Sequence, residues 1–121
     1  MSEEPIWPSE IRVSPDKRTL KLVFKENETV QFSAEFLRVH SPSAEVQGHS
    51  KEQKQTVPGK KNVEIMKVEP VGNYAVRINF DDMHNTGIFS WNYFGEMAKN
   101  KNELWEIYLS DLESKGMSRT A

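Results

Sequence analysis

The chain is 121 residues long, about one domain's worth and too short to hold two independent cores. Sixteen basic residues against eighteen acidic ones leave a net charge of −2, so no broad positive field exists to grip a phosphate backbone, and nucleic acid is disfavoured as a partner. There is no cysteine, which excludes disulfides, thiolate zinc fingers and cysteine-held iron–sulfur clusters within the chain, while three Trp, three Tyr and six Phe supply bulk for a modest core.

The first residues, MSEEPIWPSE, are acidic and lack an apolar h-region, and no later window approaches the run of apolar residues that a membrane span needs. A cytoplasmic protein is expected, with one domain over residues 8–115 and flexible tails at 1–7 and 116–121. Leu20, Leu22 and Phe24 alternate with polar residues, and after KENE the pattern resumes at Val30 and Phe32, which predicts a hairpin over 20–32. Ser33 suits the N-cap of a short helix from 34 to about 39, since residue 41 precedes Pro42 and is pushed out of the helical region. A further turn is expected to open at Ser41, with Pro42 as its first helical residue and Gly48 as its stop. Residues 49–62, HSKEQKQTVPGKKN, have no apolar period and read as a polar, mobile loop.

Val63, Ile65, Met66 and Val68 form the next strand, ended by Pro70. Gly72 and Asn73 supply a turn, and Tyr74, Val76, Ile78 and Phe80 alternate strictly with polar or small residues. That predicts a second hairpin over 63–80. After DDMHNTG and a short apolar GIFSW, Ser90 can cap a helix over 92–98. A last helix over 103–115 carries Leu104, Trp105, Ile107, Tyr108, Leu109 and Leu112 on one wide face and stops at Gly116. The fold class is therefore α+β: a small single domain of antiparallel β-hairpins with short helices and a C-terminal helix packed on the sheet.

Chemistry is sparse. His40, His49 and His84 are the only imidazoles, and Pro42, Lys51 and Thr86 stand two residues after them, so the His-x-Asp or His-x-Glu half of a non-haem iron triad is missing. PGKK at 58–61 lacks the first glycine and the Ser or Thr of a phosphate loop and reads as a solvated loop. No Gly-x-Ser-x-Gly occurs, and the serines have no evident base. Asp81 and Asp82 beside His84 read as a polar turn at a strand end before they read as an acid–base pair. No enzyme is expected.

The blocks LRVHSPSAEVQGH, KKNVEI, VGNYAVRINFDDMHNTGIFSW and ELWEIYL occur in this order from residue 37 onward, and together they resemble the gamma-butyrobetaine-hydroxylase-like N-terminal domain family. The resemblance spans about residues 8–112. It implies a domain that, in the parent dioxygenases, precedes a 2-oxoglutarate- and iron-dependent catalytic domain and holds zinc through three cysteines and a histidine. Ser41, Ser43 and Val46 stand where those cysteines would be, and His84 stands at the histidine. The chain is most similar to stand-alone bacterial members that share SPSAEVQGH, and a related domain closes a plastid P-loop scaffold for iron–sulfur clusters. Met83 replaces the glycine usual before that histidine, which argues against a left-handed turn there.

Neutral hydroxyls and a valine do not replace thiolates toward zinc, so the implied structural zinc should be gone, with Val46 as a core plug. No cofactor is expected to be required for folding. For the histidines two readings stand: a weak iron or zinc site from His49, His84 and Asp82, or a hydrogen-bonded structural role, with His40 at the surface near a helix end. For function two readings also stand. One is a non-catalytic accessory or interaction domain, linked to iron–sulfur proteins or iron-dependent oxygenases, a monomer that meets a protein partner through Ser41, Ser43, Glu45, Gln47 and Trp91. The other is a small metal-binding protein using loop histidines.

Overall fold

A computed structural model describes residues 8–24, 28–48 and 54–120. The elements run β1 (Glu10–Val13), β2 (Thr19–Val23), β3 (Thr29–Ser33), α1 (Ala34–Val39), α2 (Ala44–Gln47), β4 (Ile65–Val71), β5 (Ala75–Phe80), β6 (Ile88–Ser90), α3 (Trp91–Lys99) and α4 (Lys101–Ser114). They form an α+β domain with two three-stranded antiparallel sheets, ordered β1-β2-β3 and β4-β5-β6.

Both expected hairpins are present. In the first, Leu20 faces Phe32 and Leu22 faces Val30, so the alternation seen in the sequence puts Leu20, Leu22 and Phe32 on one buried face. In the second, Ile65 pairs with Phe80 and Val68 with Ile78, with a register shift between Ile65 and Lys67. At that irregularity Met66 is half exposed beside the buried Ile65, as an extra residue in a strand can be. Gly72, at φ 54°, makes the turn between β4 and β5. Pro70 does not end β4, which continues to Val71; β4 lies at a sheet edge, where a residue without an N–H is tolerated. Two strands were not expected. Both β1 and β6 are short edge strands of four and three residues, which carry too little alternation to stand out.

Leu20, Leu22, Phe32, Phe36, Leu37, Ile65, Ile78, Phe89, Phe94 and Met97 form the main core between the sheets and helices. Ser33 caps α1 by accepting from the Phe36 amide at 2.9 Å, and Ser90 caps α3 by accepting from the Tyr93 amide at 3.1 Å. Leu104 and Trp105 of α4 pack on the main core, while Tyr108 and Leu112 close a smaller cluster with Val39.

The C-terminal segment is not a frayed tail. Backbone amides of Gly59 and Lys61 donate to the carbonyls of Ser118 and Arg119, and the Arg119 guanidinium lies 5.2 Å from the Trp105 ring centre. It also pairs with the buried carboxylate of Glu35. The expected N-terminal tail, 1–7, lies outside the described residues.

Candidate functional site

Loop 40–48 and the β5–β6 connection, 81–87, meet on one side of the domain. α2 begins later than the sequence suggested: Ser43 is its N-cap and Ala44 its first residue, so Pro42 stays outside the helix, while Gly48 at φ 66° ends it as expected. Val46 is buried at 2% exposure and anchors the loop to the core, as its apolar character required.

His84 is the centre of the site. Its Nε2 lies 3.0 Å from Ser41 Oγ and 3.3 Å from Ser43 Oγ, and the two hydroxyls are themselves 3.3 Å apart. On the other side of the ring, Nδ1 faces Glu45 Oε2 at 3.3 Å. An ionised carboxylate only accepts, so Nδ1 carries the proton and Nε2 accepts from a serine hydroxyl. Glu45 in turn accepts from the Thr86 hydroxyl at 2.9 Å, and Gln47 donates from its side-chain amide to the Ser41 carbonyl at 2.9 Å. Burial holds the His84 pKa below its usual value, and the nearby Arg38 charge adds to this against the opposing pull of Glu45 and Asp82.

Asp82 anchors the second half of the cluster. Its Oδ2 accepts from Arg38 Nε at 2.7 Å and from Lys60 Nζ at 2.6 Å, and its Oδ1 accepts from the His84 amide at 3.1 Å. Burial alone would raise its pKa, but Lys60, the His84 amide and Arg38 outweigh that and hold it at about 2. The turn that presents His84 is left-handed after all, with Met83 at φ 76°. A hydrogen bond from the His84 amide to Asp82 Oδ1 spans this turn and ties together the residues on either side of the methionine. Packing is equally tight behind the serines: a Cβ on Gly87 would sit 2.3 Å from Ser41 Oγ, so only glycine lets the two loops approach this closely.

The expected site residues therefore divide. Ser41 and Ser43 are buried, at 0% and 6% exposure, and point at His84, so they support the loop from behind and offer nothing to a partner. Ala44, Glu45, Asp81, Met83, Asn85 and Thr86 are the exposed residues of the same two loops. Trp91 is half-buried, donating from Nε1 to the Asn73 carbonyl and stacking on Phe94; Phe89 is fully buried, and Tyr93 gives its hydroxyl to the His40 carbonyl. His40 is not at the surface. It is 5% exposed, with Nδ1 against the Phe36 carbonyl at 2.8 Å and its ring 4.3 Å from the Phe36 ring centre, because the last turn of α1 faces the core.

The serines do have a placed base, contrary to the sequence reading. Ser41, His84 and Glu45 stand in a hydroxyl–imidazole–carboxylate order that resembles an acyl-transfer relay. Ser41 is sealed from solvent, however, so no carbonyl substrate can reach its oxygen, and the relay serves as a pin between two loops. Zinc or iron fits poorly here too. Both ring nitrogens of His84 and both oxygens of Asp82 already have protein partners, and the described residues contain no group of three or more His, Cys, Asp or Glu able to hold a metal ion. His49, the other nitrogen ligand considered, lies outside the described residues.

A sequence model for the gamma-butyrobetaine hydroxylase-like, N-terminal family matches residues 11–95, more than half of the chain, and takes in both loops of the site. The chain belongs to this family. Two relatives known from NMR solution structures share 45% and 40% sequence identity with it, over 96% and 98% of this chain and 91% and 90% of theirs, at TM-scores of 0.80 and 0.81. A crystal structure from Acidithiobacillus ferrooxidans, of a protein with unknown function in the DUF971 family, shares 37% identity over 75% of this chain and 91% of its own, at a TM-score of 0.62. No curated protein matches the chain. The family is one of unknown function, and nothing in these relatives indicates catalysis. Among the described residues, no helix is long and apolar enough to cross a membrane.

Proposed function

We propose that this gamma-butyrobetaine hydroxylase-like N-terminal domain is a non-catalytic interaction module. Its recognition face is the exposed rim of loops 40–48 and 81–87, and its partner is a protein, an iron-dependent oxygenase or an iron–sulfur protein. The observation that carries this reading is the contrast between the two sides of these loops. Behind the rim, the buried Ser41, Ser43 and His84 and the partly buried Asp82 and Arg38 are tied into a polar network, while in front Met83 is 86% exposed and the Glu45 side chain 62% exposed. A rigid scaffold that fixes a small apolar knob beside a carboxylate is suited to docking, because little conformational entropy is lost on binding.

Affinity capture from native cells tests it. Wild-type protein is expected to retain a defined protein that Glu45→Lys and Met83→Asp variants of unchanged fold do not retain. Identical captures by all three would remove this face from the function.

A further inference from the structure

On a different part of the surface, the C-terminal end of α1, residues 54–57 and α4 enclose a cavity of about 310 Å³, at the lower end of the range for small-molecule sites. Its apolar wall comes from Val39, Leu104 and the Tyr108 ring, whose hydroxyl is already committed to the Val57 carbonyl at 2.6 Å. Two ammonium groups stand at its rim. Lys115 Nζ donates to the Thr56 hydroxyl at 2.8 Å, and among the described residues neither it nor Lys54 has a carboxylate partner. Among the described residues Asp111 is the one carboxylate at the rim and it pairs with neither lysine within salt-bridge distance, so two ammonium groups border an apolar recess. Lys54 is near enough to the inner wall to act on His40: burial chiefly, and the Lys54 charge with it, hold that imidazole below its usual pKa against the Phe36 carbonyl. The back of the cavity is therefore neutral and its mouth cationic.

We propose that this cavity binds a small monocarboxylate with a short apolar tail, its carboxylate on Lys54 and Lys115 and its tail against Val39, Leu104 and Tyr108. The two ends of such a ligand match the two halves of the recess: the ammonium groups gain a charged acceptor, and the tail leaves water. A dianion or a purely apolar molecule matches only one half. The cavity shares only the buried His40 with loop 40–48, and none of the exposed rim residues proposed for protein docking lines it.

Titration of the whole protein with hexanoate, followed by amide and side-chain NMR, tests the proposal, with acetate and 1-hexanol as probes lacking the tail or the charge. Saturable shifts at Thr56, Leu104, Tyr108 and Asp111 are expected with hexanoate, on the order of millimolar affinity for so small a ligand. Acetate, hexanol and the Lys54→Ala/Lys115→Ala double variant should each weaken them at least about fivefold, the range of a lost charge-assisted contact. Both lysines are exposed, so the variant keeps its fold, which its own amide spectrum verifies. Absent or unsaturable shifts, an equal response to hexanol, or unchanged binding by the double variant would overturn the proposal.

Discussion

Arg119, near the C-terminus, grips Glu35 in the first turn of α1 with two side-by-side hydrogen bonds, Nε to Oε2 at 2.8 Å and Nη2 to Oε1 at 2.7 Å. Glu35 is 5% exposed, so its carboxylate depends on this one guanidinium. Arg119→Ala should destabilise the domain by about 2–3 kcal/mol, below the full range for a broken buried pair because the arginine is itself 37% exposed. Urea unfolding of wild type and variant measures this. A loss within ~0.5 kcal/mol, the size of an ordinary surface change, would mean that the C-terminal segment is not docked.

Gly87→Ala should cost about 1–3 kcal/mol, since the new Cβ would meet Ser41 Oγ at 2.3 Å and Phe89 at 3.1 Å in a buried setting. The same experiment reads the pin: His84 ring signals should shift in this variant, because Ser41 cannot yield to the methyl without changing its distance to Nε2.

At Met83 the sign reverses between substitutions. Its φ of 76° is unfavourable for any residue with a Cβ, and more so for a β-branched one. Thermal melts should show Met83→Val less stable by ~1–2 kcal/mol and Met83→Gly unchanged or slightly more stable. A marked loss on going to glycine would show that the exposed methionine side chain contributes to the fold.

Acid should weaken the site in two stages. His84 and His40 both have depressed pKa values, so below about pH 6.5 the unfolded chain takes up protons that the folded one resists, and stability falls as pH drops. Asp82, held at about 2, contributes stability that is present above about pH 4 and lost as pH falls toward 2. Thermal melts from pH 7 to 2 measure both. In Asp82→Asn the lower stage should vanish, with stability already reduced at pH 7 because Arg38 and Lys60 lose their shared acceptor.

Elements with strong periodicity were legible in the sequence. Leu20, Leu22, Phe32 and Val76, Ile78, Phe80 gave both hairpins, and Ser33 and Ser90 gave two helix starts, since local spacing and capping suffice for these. Contacts made by distant residues were not. Ser41 and His84 are 43 positions apart and Arg119 and Glu35 are 84 apart, so neither the placed base nor the docked C-terminus leaves a local signal. His40 departs from the expectation because a polar residue at a helix end usually faces water, whereas here the residue that caps the C-terminus of the short α1 packs against Phe36 and Tyr108. The left-handed Met83 runs against the preference of a residue with a Cβ, so its residue type gives no signal of the turn that the Asp82–His84 hydrogen bond spans.

The central claim is that the hydrogen-bonded cluster of Ser41, Ser43 and His84, in place of a metal, holds the recognition loops together. Thermal unfolding of the native protein, purified from zinc- and iron-supplemented cells and melted with and without EDTA, tests it most directly. The melting temperature should be the same in both, while Ser41→Ala should lower stability by ~1–3 kcal/mol in either buffer, because it removes a buried hydroxyl that bonds both Ser43 and the His84 ring. A structural zinc contributes roughly 10 kcal/mol or more, so unfolding or a large drop on chelation would contradict the claim.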